Sequence, residues 1–113
     1  MTEDVFEFET EERDGSATVR LRGELDLAEV TTLQVELDRL CSNELSALTV
    51  DLSGLDFVDS TGLHALLRLR GRCESQQVSL QLVPGPPAVQ RLFRLTGTDV
   101  QFTFLEPRPA PAP

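Results

Sequence analysis

Apolar and polar residues alternate in two short runs near the start of the chain, Val5-Phe6-Glu7-Phe8 and Ala17-Thr18-Val19-Arg20-Leu21. The turn former Asp14-Gly15-Ser16 lies between them. A period of two marks half-buried strands, so residues 5 to 22 read as a hairpin that Gly23 closes. The period then changes. From Leu27 to Leu40 the apolar Val30, Leu33, Leu37 and Leu40 recur at helical spacing. Glu29, Gln34, Glu36, Asp38 and Arg39 take the other faces, and Asp26 stands where an N-cap would. Ala47 to Leu52 is a short apolar strand that the turn former Ser53-Gly54 ends.

A second helix follows. Gly62, Ala65, Leu66, Leu69 and Cys73 share one face, with Thr61, His64, Arg68 and Arg72 on a polar face beside it. Asp59 and Ser60 offer capping side chains at its start, and Arg68, Arg70 and Arg72 complement the dipole at its end. Val78 to Val83 alternates as a strand, and Pro84-Gly85-Pro86-Pro87 is a loop whose last proline suits a first helical turn. Val89, Leu92 and Phe93 then form the stripe of a short helix with Arg91 and Arg94 outside and Gly97 as its C-terminal cap. Val100 to Leu105 alternates as a last strand. The order ββαβαβαβ predicts an α/β fold, one mixed central sheet with helices packed against it, as a single domain over residues 1–106. Leu66, Leu69, Val89 and Phe93 are expected in its core. Residues 107–113 belong to a disordered, extended Pro/Ala-rich tail that has no PxxP register.

Composition removes several chemistries. With 113 residues, the chain is too short for two ordinary domains. All ten basic residues are Arg, which leaves no lysine for a P-loop, a Schiff base or a general base. A single His and the absence of Tyr and Trp exclude a multi-histidine metal site and base stacking on those rings. The net charge of -9 would repel phosphate backbones and anionic lipid, so neither a nucleic acid partner nor membrane insertion is expected. Cys41 and Cys73 lie far apart, in no zinc or redox spacing, and read as small apolar fillers. The acidic start, without an apolar run, is unlike a secretory signal, and the expected location is a reducing cytoplasm.

The segment Asp51-Leu-Ser-Gly-Leu-Asp-Phe-Val-Asp-Ser-Thr-Gly-Leu63 is the one whose composition exceeds what a scaffold needs. A strand runs out there, acids follow, and two hydroxyls sit in the first turn of a helix. Such a hydroxyl can act as a cap, accept a phosphate without melting the helix, or hold an anion. The plain alternative is that Asp59 or Ser60 is only the N-cap. Gly62, on the inner face, fits a close approach of helix to sheet. Asp-Ser-Thr-Gly also resembles the aspartic protease loop, but one residue too many separates Asp59 from Gly62 and the strand-to-helix setting is wrong. A serine hydrolase lacks its Gly-x-Ser-x-Gly elbow, and His64 is one turn up the same helix as Ser60. No catalytic or metal-ligating set emerges.

Three stretches taken together are more specific. They are Leu21-Arg22-Gly23-Glu24-Leu25-Asp26, then Val50-Asp51-Leu52-Ser53 through Phe57-Val58-Asp59-Ser60-Thr61-Gly62-Leu63, then Ala88 to Gly97. In this order and spacing the chain resembles the STAS domain over about residues 5 to 105, in particular the bacterial anti-sigma factor antagonists. The resemblance implies that Ser60 is a regulatory phosphoacceptor with Asp26 close to it. It further implies that the unphosphorylated protein binds an anti-sigma factor serine kinase, that phosphorylation releases it, and that a serine phosphatase resets it, with no cofactor. The loop before the second helix and that helix's solvent face would then border the partner through Asp26, Asp59, Ser60, Thr61, Gly62, His64 and Arg68. The alternatives are a STAS adaptor or scaffold in another signalling or transport complex and, remotely, a small aspartic-protease-like hydrolase. The arginines Arg68, Arg70, Arg72, Arg91 and Arg94 either meet acidic patches on a partner or are solvated helix faces.

Overall fold

In the computed structural model, which describes residues 6–105, the first turn is carried by Asp14 and Gly15 at φ +49° and +81°. Positive φ at both central residues matches the right-handed twist of the strands it joins. Those strands, β1 (Glu7–Arg13) and β2 (Ser16–Leu25), pair antiparallel from Glu7↔Arg22 to Arg13↔Ser16. The order continues α1 (Leu27–Ser42), β3 (Ala47–Val58), α2 (Ser60–Ser75), β4 (Ser79–Val83) and α3 (Pro87–Thr96). The sheet order is β1-β2-β3-β4, with β2, β3 and β4 mutually parallel.

Alternation decides which side of the sheet is covered. Ala17, Val19 and Leu21 of β2, Leu48, Val50 and Leu52 of β3 and Leu82 of β4 are all buried. They join Leu33, Leu37 and Leu40 of α1, Leu63, Leu66 and Leu69 of α2, and Val89 and Phe93 of α3 in one core cluster. The intervening residues face solvent, including the cross-strand row Glu9, Arg20, Asp51. Leu66, Leu69, Val89 and Phe93 thus occupy the core positions that the helical spacing assigned them.

Three expectations are corrected. β2 does not end at Gly23 but runs to Leu25, and Gly23 sits at φ +90° where the β2–β3 register shifts. β3 does not stop at Leu52 either. Ser53-Gly54 lies inside a twelve-residue strand, and a Cβ on Gly54 would stand 2.8 Å from the Leu21 carbonyl oxygen and 2.7 Å from Arg22 Cγ. The glycine is there for backbone approach between strands. The strand expected over Val100–Leu105 becomes a 3-10 turn at Asp99–Gln101 followed by a single parallel bridge, Leu82↔Phe104. β4 has only five residues and runs into Pro84, which has no N–H, so it cannot support a longer ladder. The alternation survives in part, because Phe102 and Phe104 both pack edge-on against Phe93 at centroid distances of 5.5 and 5.2 Å. Val5, Glu106 and the tail at 107–113 lie outside the described residues.

Cys41 and Cys73, 32 positions apart, are both buried and free, and each thiol influences the other. Burial raises both, and pushes Cys73 up to about 12.

Candidate functional site

β2 and β3 are parallel neighbours whose last register pair is Leu25↔Val58. The next residue on each strand is an aspartate that leaves the sheet and opens a helix. Asp26 has extended backbone, and its Oδ1 accepts the N–H groups of Ala28 and Glu29 at 3.0 and 3.3 Å. Asp59 repeats this for α2, with Oδ1 accepting from Thr61 N at 3.0 Å and Gly62 N at 3.1 Å. The Asp59 N–H donates to the Leu25 carbonyl at 3.2 Å, which locks the two exits together. Two helix N-termini therefore converge at the carboxyl ends of adjacent parallel strands, where an open α/β sheet places its sites.

Burial pushes the Asp59 carboxyl up, but donation from the Thr61 hydroxyl and from the backbone N–H groups of Gly62, Thr61 and Leu27 outweighs it and holds the group below the usual carboxylate range. The Leu27 N–H that helps to lower it belongs to the first turn of α1, so the N-termini of both helices favour the charged carboxylate.

The two hydroxyls of the first turn are unequal. Thr61 Oγ1 donates to Asp59 Oδ1 and is half-buried. Ser60, the first residue of α2, is exposed, and among the described residues its hydroxyl has no partner. A group added to Ser60 meets free solvent, the capping carboxylate of Asp59 beside it and the positive end of a helix dipole. Gly62 is buried beneath this turn, and a Cβ there would come within 2.7 Å of Val58 Cγ2 and 3.0 Å of Leu25 Cγ. Its packing role agrees with the reading from its helical position, and it offers no exposed surface. His64 and Arg68 are exposed at one and two turns beyond Ser60. The structure thus brings Asp26, Asp59, Ser60 and Thr61 together, with His64 and Arg68 trailing along α2.

Leu27 and Phe57, which the hydrophobic pattern did not single out, stand beside the two caps with 68% and 48% of their surfaces exposed. The available signal was an apolar residue within two positions of a cap but belonging to no stripe.

The five crowded arginines separate once the fold is known. Arg72 pairs with Asp38 at 2.7 Å, and Arg70 with Glu74 at 3.6 Å while also donating to the Gln101 carbonyl. Among the described residues, Arg68, Arg91 and Arg94 have no acidic partner.

Comparison with known proteins places this geometry. A family profile described as "Mlab, STAS domain" matches residues 8–106. The anti-sigma-F factor antagonist RsfB of Mycobacterium tuberculosis is 28% identical over 91 residues, which cover 80% of this chain and 74% of that protein. An anti-sigma factor antagonist from Mycobacterium paratuberculosis superposes with a TM-score of 0.81 at 27% identity, over 94% of this chain and 90% of its own. SpoIIAA of Bacillus, at 20% identity, shares the fold in its unphosphorylated form (TM-score 0.77, covering 88% of this chain and 89% of that one). Its phosphorylated form gives a TM-score of 0.70, covering 88% of this chain and 92% of that one.

Proposed function

This chain belongs to the STAS domain family, and from that premise we propose that it is an anti-sigma factor antagonist whose hold on a serine-kinase anti-sigma factor is released by phosphorylation of Ser60. The observation that carries this is the exposed, unpartnered Ser60 hydroxyl at the head of α2, directly after the capping Asp59 and at the strand end adjacent to the one that delivers Asp26. The relatives support it. RsfB is an anti-sigma-F factor antagonist, and SpoIIAA has a phosphorylated form.

Ser60 contributes only the acceptor oxygen. ATP, Mg²⁺ and the catalytic base come from the kinase, and the antagonist itself is not an enzyme. The phosphate adds close to two negative charges. The dipole of α2 tolerates them, so the helix stays folded. The partner does not, because a surface that accepted Asp26, Asp59 and a neutral serine now faces a dianion. A loss of about 2.8 kcal/mol weakens binding a hundredfold, which like-charge repulsion can supply without a change of fold. A serine phosphatase then restores the binding form, and the cycle runs in the cytoplasm without nucleic acid. Among the described residues no helix is long and apolar enough to cross a membrane.

The STAS adaptor alternative draws on the wider description of the matching profile and requires no phosphate on Ser60. Mass spectrometry after incubation with purified anti-sigma serine kinase and ATP separates the two. Phosphate on Ser60 supports the antagonist. Phosphate on Thr61 or Ser53 with Ser60 untouched overturns the assignment.

A further inference from the structure

α3 is the one helix of the three without an acidic residue, and its charges are Arg91 and Arg94 on a chain of net charge -9. Along its outer flank Ala88, Leu92 and Leu95 follow one another at helical spacing. They form one wall of an open groove of about 250 Å³. The opposite wall is Phe57 and Val58 at the end of β3, and Arg91 stands on the rim. Leu95 is 73% exposed and Phe57 48%, so two large apolar side chains border the same cleft without cover. Scattered apolar residues on a surface need no explanation, but a lined, cation-rimmed apolar groove marks a contact site.

Its position is as informative as its composition. Val58 lines the groove and the next two residues are Asp59 and Ser60, so groove and phosphoacceptor are successive parts of one strand-to-helix turn.

We infer that this groove is the anchoring half of the partner surface: it receives an apolar side chain of the anti-sigma factor, with a carboxylate beside that side chain meeting Arg91. The occupant rests on the function proposed above. The complementarity comes from the uncompensated guanidinium and the bare apolar walls. Binding strength and control are then divided between two neighbouring patches. The groove buries apolar surface in a way that a phosphate on Ser60 does not alter, and the Ser60 end converts added charge into release.

Titration calorimetry of the unphosphorylated protein with purified anti-sigma serine kinase tests this, using Leu95→Gln, Arg91→Glu and Ser60→Glu. Val35→Gln serves as control, since Val35 is an equally bare apolar residue (66% exposed) on α1. Leu95→Gln, which removes the apolar anchor, and Arg91→Glu, which reverses the charge facing the partner carboxylate, should each weaken binding about tenfold or more, while Val35→Gln stays within about twofold of wild type. Both test sites are exposed, so circular dichroism should match wild type, and either variant alone suffices if the other misfolds.

Wild-type affinity in Leu95→Gln and Arg91→Glu, with Ser60→Glu still losing the kinase, overturns the groove and leaves the phosphorylation switch intact. An equal loss in Val35→Gln overturns it too. So does a change of oligomeric state in Leu95→Gln without a change in kinase affinity, which would assign the groove to a second copy of the chain. A wild-type protein that does not bind the kinase removes both readings.

Discussion

Leu25 and Val58 face each other as the last paired residues of two parallel strands, and the Leu25 carbonyl accepts the N–H of the residue that follows Val58. Because the pair is in register, the two helices begin at the same level. Asp26 and Asp59 become neighbours, each delivered by its strand and capping the helix that follows. The register of the sheet therefore positions the candidate site, and whatever disturbs the Leu25–Val58 end should disturb the site before it disturbs the core.

Gly62→Ala is the sharpest test of that dependence. The added methyl would sit 2.7 Å from Val58 Cγ2, closer than real Cβ contacts allow, and a tight 3.0 Å from Leu25 Cγ. Overpacking of this kind costs about 1–3 kcal/mol, which lowers Tm by several degrees in a chain of this size. Thermal denaturation checks it, and an unchanged Tm would mean that the helix floats free of the strand ends.

Charge at Ser60 should act on binding and not on folding. Ser60→Ala is expected to bind the kinase as wild type does, Ser60→Glu to bind more weakly, and the gap between them to shrink as salt rises. Equal affinities for alanine and glutamate would remove the electrostatic mechanism even with Ser60 established as the phosphosite.

Acid should remove the contribution of Asp59. Its folded pKa lies below its unfolded one, so the stabilisation is fully present above the ordinary aspartate value of about 3.9 and is lost as pH falls through the folded value. Glu36, lowered chiefly by the hydrogen bond from Arg39, follows the same sign. Asp59→Asn keeps a capping oxygen and deletes the titration. The Tm difference between wild type and Asp59→Asn should narrow as pH drops from about 5 to about 2.5. A difference that stays constant over that range would show that the charge contributes nothing.

The thiols should be slow. Cys41 and Cys73 are both buried, and burial raises both. A thiol-disulfide reagent at pH 8 should therefore label neither at an appreciable rate until denaturant is added. Rapid labelling of both in the native protein would contradict the packing of α1 on α2.

Phe93 carries the C-terminal segment. Its ring meets Phe102 and Phe104 at 88° and 84°, and Leu82 pairs with Phe104 in the only bridge that segment makes among the described residues. Phe93→Ala should cost about 3–5 kcal/mol and raise hydrogen exchange at Leu105 first. Uniform exchange across the sheet would show instead that the segment is held independently.

Local chemistry was legible from residue order alone. Asp26 is readable as a cap, and Asp59 as one of two candidates with Ser60, because an N-cap depends only on a short acceptor before a helical stripe, and Gly97 is readable as the helix end because the left-handed conformation favours glycine. What depended on distant partners was not. Ser53-Gly54 looks like a turn, and only the Leu21 carbonyl pressed against Gly54 explains why the strand continues. Val100 to Leu105 alternates correctly for a strand, yet a ladder needs a donor row, and β4 ends at a proline. The Cys41–Cys73 contact and the groove at Leu95 have no sequence signature, since each joins segments that only the fold brings together.

The two margins of the sheet are handled differently, and this bears on how the protein behaves at high concentration. β1 is an edge with its outer hydrogen-bonding row open, but Glu7, Glu9, Glu11 and Glu12 line it, and a second copy approaching edge to edge would bring like charges into direct apposition. At the other margin the Phe104 bridge covers Leu82 near the end of the five-residue β4, leaving too short a stretch to template a neighbour. Pairing between copies through the sheet is thus opposed at both margins by unlike means, charge along one and a short, strapped strand at the other.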